Sequence, residues 1–413
     1  MAQRRSILLV NDEWGTAKGG ISTINRQLAS LAVEAELDVH CLALTASDQD
    51  KADAREKNIN LILPKVKDGL DDRVPKLDWL LCHETFYPDL KREVKNLAVI
   101  IGHIPITNDA AVDLKENVFP SAKLFLFNHV ISENIEVYKE SWSPERVQKR
   151  EARALEAAKK ADLIFSVGPR MFEHFKNKFR VDEAMKRKHH EFIPVPDKEF
   201  FDVKFTDAES TKTKQVITFG RITGVEKLKG YDLVARAMSE VAELFKKMHK
   251  PVPKWIIRGV PEGEGKKTKE ALKEYVKCKD LTISLYPYGS QDDIRTDLKQ
   301  SHLCVMASRS EPFGLVGFEA IATGIPVLVT KNSGLAEFLQ EQFPDIAQLI
   351  VVDVGVNEEF DDDDVKQWTD AILGALNNYS PARTRADKLK RKIRECDAVK
   401  ESQENFKRLC KGQ

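Results

Sequence analysis

Short apolar runs alternate with amphipathic stretches along the whole chain. In the first half the runs are SILLV (6–10), DVHCLAL (38–44), INLIL (59–63), DWLLCH (78–83), LAVIIGHIP (97–105), AKLFLFNHV (122–130) and ADLIFSVG (161–168). In the second half they are QVITFG (215–220), KWIIRG (254–259), LTISLY (281–286), HLCVMAS (302–308), IPVLVT (325–330) and LIVVDV (349–354). Near-continuous apolar strands that alternate with helical patterns predict parallel sheets covered on both faces. Two such series predict an α/β fold of two doubly wound, Rossmann-like domains.

The boundary is expected between EFIPVP and QVITFG. Residues 197–214 are polar and lack a clear period, which is linker composition. The domains predicted are 1–200 and 201–385. A charged terminal helix, 386–413, is expected to pack back on the first, with Leu389, Ile393, Phe406 and Leu409 as anchors. The length agrees, because 413 residues exceed one compact core and 42% apolar residues suffice for two.

Charge and cysteine usage narrow the class. Lys plus Arg equals Asp plus Glu, 65 each, which argues against a dedicated nucleic-acid binder. Six scattered cysteines form no CxxC pair. Cys41, Cys82 and Cys304 lie in apolar runs and read as packed thiols of a reducing compartment. No stretch approaches a membrane span, and the first apolar run is too short for a signal peptide. A soluble, cytoplasmic chain is expected.

In an open parallel sheet, ligands bind beyond the carboxyl ends of the strands. Three constellations lie there. Gly15, Gly19 and Gly20 follow the first strand and precede a helix that begins near Ser22. They read either as an anion-binding loop or as a tight turn. Arg221 and Lys229 follow the first strand of the second half. They suit a diphosphate, one by its fork and the other as a point charge; solvated surface is the plainer reading. The third is SRSEPFGLVGFEAIATG, in which a helix from about Leu315 to Ala322 offers the amides of Gly314 and Leu315 to a phosphate. Glu311 precedes that helix. Glu319 lies about one turn inside it, ~6 Å further along.

The segments GRITGVEKLKG and SRSEPFGLVGFEAIATGIPVLVTKNSGLAEFL together closely resemble the donor-binding domain of glycosyltransferase family 4. Glu311 and Glu319 meet the family's paired-glutamate spacing, Arg221 and Lys229 its basic pair, and Gly334 with Glu337 its later signature. WGTAKGGIST and AKKADLIFSVGPRMFEHF look like parts of its first domain. The resemblance implies the GT-B fold, with a cleft between its two domains, and a retaining, metal-independent transfer from a nucleotide diphosphate sugar. The donor would lie mostly on the second domain and an acceptor on the first. Glu319 would hold the ribose and Glu311 the donor-sugar hydroxyls. Arg221, Lys229 and the amides at Gly314 and Leu315 would neutralise the leaving diphosphate. Phe313 belongs to the same donor segment, and Gly19 and Gly20 to the first domain's loop. His103, at a strand end, resembles the family histidine that faces the donor sugar.

Three departures bear on this. PVPDKEFF replaces the family's usual PNGVD, Lys227 competes with Lys229 for the phosphate role, and the first domain is the least matched. A sugar-nucleotide sensor without turnover is therefore the main alternative, and a glycoside phosphorylase a lesser one. A dehydrogenase is disfavoured because GxGxxG is missing. His83 is read as structural or as a support behind the site, and His129 stays unranked. The aspartates 361–364 are read as the cap of a helix with the stripe Val365, Trp368, Ile372 and Leu376, rather than as a metal site. No cofactor is expected. The basic run 176–190 reads as a solvated helix.

Overall fold

The computed structural model describes residues 4–16, 19–66, 74–138, 143–205, 213–222, 227–355 and 361–413. They form two compact units. One takes in the chain to Val137, Ser141–Pro194 and Asp397–Gln413, and the other covers Val195–Cys396 together with Tyr138.

The first unit is built on β1 (Ser6–Val10), β2 (Asp38–Leu42), β3 (Ile59–Ile62), β4 (Leu97–Ile104), β5 (Lys123–Asn128), β6 (Leu163–Val167) and β7 (His189–Phe192). All ladders are parallel, in the order β3-β2-β1-β4-β5-β6-β7. The sheet is wound outward in both directions from the β1–β4 pair. β1 is buried at all five positions, as a central parallel strand must be. Phe127 stacks on Phe165 at 4.7 Å, and the edges of Phe192 and Phe406 close the cluster. Phe406 comes from the last helix, Asp397–Cys410, and is fully buried.

The second unit repeats the plan with β8 (Gln215–Phe219), β9 (Lys254–Val260), β10 (Ile283–Pro287), β11 (Leu303–Met306), β12 (Val327–Thr330) and β13 (Val351–Val352). Its order is β10-β9-β8-β11-β12-β13, again parallel. The helices Tyr231–Lys247 and Asp362–Asn377 bury Met238, Phe245, Trp368 and Ile372 in one core. Asp361 caps the latter helix by accepting from the amide of Asp363, and the stripe Val365, Trp368, Ile372 and Leu376 is buried. No helix among the described residues is long and apolar enough to cross a membrane.

Several segments differ from the expectations. DWLLCH forms no strand: Leu77–Leu80 is a 3-10 turn and His83–Phe86 a short helix, with Trp79 stacked on Phe86 at 4.0 Å. A short apolar run does not by itself distinguish a strand from a turn that buries two side chains. Cys82 in this segment is consequently exposed, whereas Cys41 and Cys304 are enclosed. The basic run ends in β7, whose sequence HHEF hides its apolar period. Residues 197–214 include the helix Lys198–Phe201, whose Phe200 is fully buried; residues 206–212 of that stretch lie outside the described residues. The terminal 386–413 is split between Tyr379–Arg394 in the second unit and Asp397–Cys410 in the first. In the latter helix Leu409 is half-buried, and Cys410 takes the enclosed position.

Candidate active site

The second sheet reverses its winding between β8 and β11, and a crevice at such a point is where an open α/β sheet binds ligands. Two of the expected residues meet there. Lys229, in the turn Lys227–Lys229 after β8, places Nζ 2.6 Å from Oε2 of Glu311, which follows β11. Ser308 Oγ donates to the same carboxylate oxygen at 3.1 Å. Both charged side chains are partly exposed, 27% and 17%.

The backbone around this pair is tightly fixed. Gly230 adopts φ 68°, and a Cβ there would lie 2.2 Å from the carbonyl oxygen of Ala307. Only glycine permits that approach between the two strand ends. Tyr231 donates its hydroxyl to the carbonyl of Gly220, tying the following helix to the end of β8. Glu311 pairs with Ser333 in an isolated parallel bridge, which fixes the loop against the segment after β12.

Arg309 was not anticipated from the sequence. Its guanidinium makes a buried, two-pronged pair with Asp232, at 2.8 and 2.9 Å. It also donates to the carbonyl of Lys227 at 2.6 Å, while its backbone amide donates to Leu228. The loop carrying Glu311 and the turn carrying Lys229 are thereby clamped together. Asp232 and Arg309 are 77 positions apart, and no local pattern announces them.

Arg221 is exposed and donates from Nε to the hydroxyl of Tyr288 at 3.0 Å. It is thus held towards the segment after β10, whereas Lys229 is held towards the segment after β11. Lys227 is exposed. The helix Leu315–Thr323 starts at Gly314, φ 113°, with no side-chain cap on its first turn. Leu315 opens it half-buried. Such a terminus presents backbone N–H groups and a partial positive charge to an anion. The Phe313 side chain is buried against Phe318 and Phe338 at 5.5 and 6.5 Å. Its ring belongs to the core, so only its backbone is left to the crevice.

Glu319 lies inside that helix and is 5% exposed. Burial pushes its pKa up from 4.5 to about 8; the side chain of Gln291 and the charge of Arg295 pull it down, and the charge of Asp197 pushes it up. A carboxyl so placed is a neutral acid over much of the neutral range.

In the first unit, Gly19 precedes the helix Gly20–Glu34 with φ 113°. Ala17 and Lys18 of the expected glycine loop lie outside the described residues. His103, at the end of β4, is fully buried. Its Nε2 is 3.0 Å from Asn25 Oδ1, and its Nδ1 is 2.9 Å from His129 Nε2. The amide oxygen of Asn25 accepts, so the proton of His103 sits on Nε2, and His129 donates to Nδ1. Burial pushes the pKa of His103 down to about 3. The ring is neutral, and both of its nitrogens face protein. Burial, followed by the neighbouring His103, also pushes His129 down. His83 lies 3.3 Å from Asp113. Among the described residues the one group spaced for a metal ion is Glu133, Glu151 and His174, which contains none of these three histidines.

Comparisons with known proteins bear on the family and the fold. The model of a family described as "Family 4 Glycosyltransferase in conflict systems" matches residues 8–402. Mannosylfructose-phosphate synthase of Agrobacterium fabrum is 31% identical over 169 residues, 37% of this chain and 35% of that one. D-inositol 3-phosphate glycosyltransferase of Mycolicibacterium paratuberculosis is 27% identical over 172 residues, 41% and 34% of the two chains. The chain spans about a third of the length of these relatives. Among solved structures, sucrose-phosphate synthase from Thermosynechococcus elongatus superposes with a TM-score of 0.70 at 15% identity, covering 99% of both chains. Anabaena HepE in complex with UDP and glucose gives 0.69 at 14%, covering 99% of this chain and 100% of that one. These likenesses establish the fold as GT-B.

Proposed function

The chain belongs to the family 4 glycosyltransferases in conflict systems, and from that premise we propose that it moves a sugar from a nucleotide diphosphate sugar to an acceptor, with retention and without a metal ion. The observation that carries this reading is the Lys229–Glu311 pair at the winding reversal of the second sheet. A cation and a sugar-binding carboxylate stand where the leaving group and the donor sugar meet.

The roles follow from the chemistry of each group. The diphosphate lies against the uncapped first turn of the helix Leu315–Thr323, and Lys229 and Arg221 neutralise it as charge develops. Glu311 accepts from the sugar hydroxyls, and the amide terminus with these cations replaces the charge a metal would supply. Glu319 accepts from the ribose hydroxyls once it gives up its proton. The bond between the anomeric carbon and the diphosphate oxygen breaks. The acceptor oxygen bonds to the same face of that carbon, and its proton passes to the departing phosphate oxygen. The acceptor is assigned to the first unit. His103, enclosed, neutral and bonded at both nitrogens, is assigned there to holding the end of β4 against the helix Gly20–Glu34, rather than to proton transfer.

UDP-sugars are the first donors to try, because HepE, which shares the fold, binds UDP and glucose. UDP release is followed with the full chain, with and without candidate acceptors. Lys229→Ala and Glu311→Ala are each expected to lower turnover about 10²–10³-fold. Full turnover in both variants would sink the assignment of the site.

A further inference from the structure

The second unit has a cavity at the opposite edge of its sheet from Lys229 and Glu311. It has a volume of about 430 Å³ and opens beside the amino-terminal ends of β11 and β12. Its size falls within the range of small-molecule sites. Ile325 and Leu389 line it, both buried, and Leu349 stands at its rim 53% exposed. A leucine so exposed beside an apolar hollow is surface that an apolar ligand would cover.

Two charged side chains line this cavity, Arg385 and Asp370. The Nε of Arg385 is enclosed and meets no hydrogen-bond acceptor among the described residues. Enclosed guanidinium donors are ordinarily paired, so an orphaned one calls for an acceptor. Because Arg385 lines the cavity, an anion bound there would supply that acceptor. A guanidinium matches a carboxylate in shape and charge. Asp370 sets a negative charge at the same cavity, which disfavours a doubly charged anion such as a phosphate.

Gly374 gives a further indication. It stands inside the helix Asp362–Asn377, where glycine is a poor helix former, and it lines the cavity. A Cβ there would meet no atom within 4 Å. Gly374 is exposed, so this position lies at the mouth of the cavity, where a larger side chain would favour the helix.

We propose that this cavity binds an aliphatic monocarboxylate, its chain lying along Ile325 and Leu389 and its carboxylate on Arg385. The proposal is independent of the transfer reading, because it concerns the opposite edge of the sheet.

Calorimetric titration of the full chain with decanoate, decanol and inorganic phosphate tests it. Decanoate is expected to bind at one saturable site, decanol about tenfold more weakly, and phosphate not at all. Gly374→Leu obstructs the mouth of the cavity and should weaken decanoate binding at least tenfold while leaving the thermal midpoint at or above that of the parent. Arg385→Gln should weaken decanoate about tenfold and leave decanol unchanged. Arg385→Gln decides the matter by itself if Gly374→Leu does not fold. No decanoate binding, equal binding of decanoate and decanol, phosphate binding alone, or undiminished binding to either variant overturns the proposal. UDP titration of the same proteins is the control: a failure there bears on the donor reading and not on this one.

Discussion

Glu319 shows how one side chain ties folding to ligand binding. Its carboxyl is 5% exposed, and burial raises its pKa to about 8 against 4.5 for the free group. Well below the lower value both folded and unfolded chains hold the proton, and the residue leaves stability unchanged. Between the two values the folded protein binds a proton that the unfolded chain has lost, so stability falls as pH rises. Above the higher value both are ionised and the full penalty is present. Glu319→Gln removes the titration. Its unfolding free energy is expected to match the parent near pH ~4 and to exceed it increasingly towards pH ~8, by on the order of a few kcal/mol. Urea unfolding at a series of pH values measures this, and a gap that stays constant with pH would show that the buried carboxyl does not titrate there. The same residue has a functional corollary. If ribose hydroxyls require the ionised form, binding of a nucleotide diphosphate near neutrality releases a proton, which calorimetry in buffers of different ionisation enthalpy reads directly.

Elements matter here mainly through where they begin. The turn Lys227–Lys229 and the helix Tyr231–Lys247 meet at Gly230, whose left-handed φ brings the chain so near Ala307 that a Cβ would lie 2.2 Å from its carbonyl oxygen. Gly230→Ala adds both backbone strain and a clash with a carbonyl that cannot swing aside. It is expected to cost about 3 kcal/mol and to separate Lys229 from Glu311, raising KM for the donor more than a distant mutation of equal cost; unfolding and turnover measured together test this. The strands that flank this junction were legible from the sequence because parallel strands buried on both faces read as unbroken apolar runs. The Glu311 and Glu319 spacing was legible because both lie in one short continuous segment, Glu311 in the loop before the helix Leu315–Thr323 and Glu319 inside it. DWLLCH misled because its apolar residues are packed by a turn, and β7 was hidden because an HHEF edge has no period to show. Arg309 was not legible at all. Its importance lies in a guanidinium pairing across 77 positions with Asp232, and only the folded chain brings those groups together.

At the scale of the molecule, the chain leaves the first unit at Pro194, builds the second, and returns with its last residues to complete the first. That return is more than a surface strap. Phe406 is fully buried, with Phe127, Phe165 and Phe192 at 6.0, 5.9 and 5.8 Å from its ring. Ser402 accepts from the amide of Ile193 at 2.8 Å, directly after β7. The first unit therefore has an aromatic core whose last member is supplied more than two hundred positions after the rest. Phe406→Ala leaves a cavity among three rings and is expected to destabilise that unit by about 3–5 kcal/mol. The second unit has its own core around Trp255 and Trp368, and none of it includes the terminal helix. Hydrogen exchange should accordingly show protection lost from β5, β6 and β7 while β8, β9 and β11 keep theirs. Equal loss in both units would mean that they unfold as one, and no loss in the first would mean that the last helix is dispensable to its core.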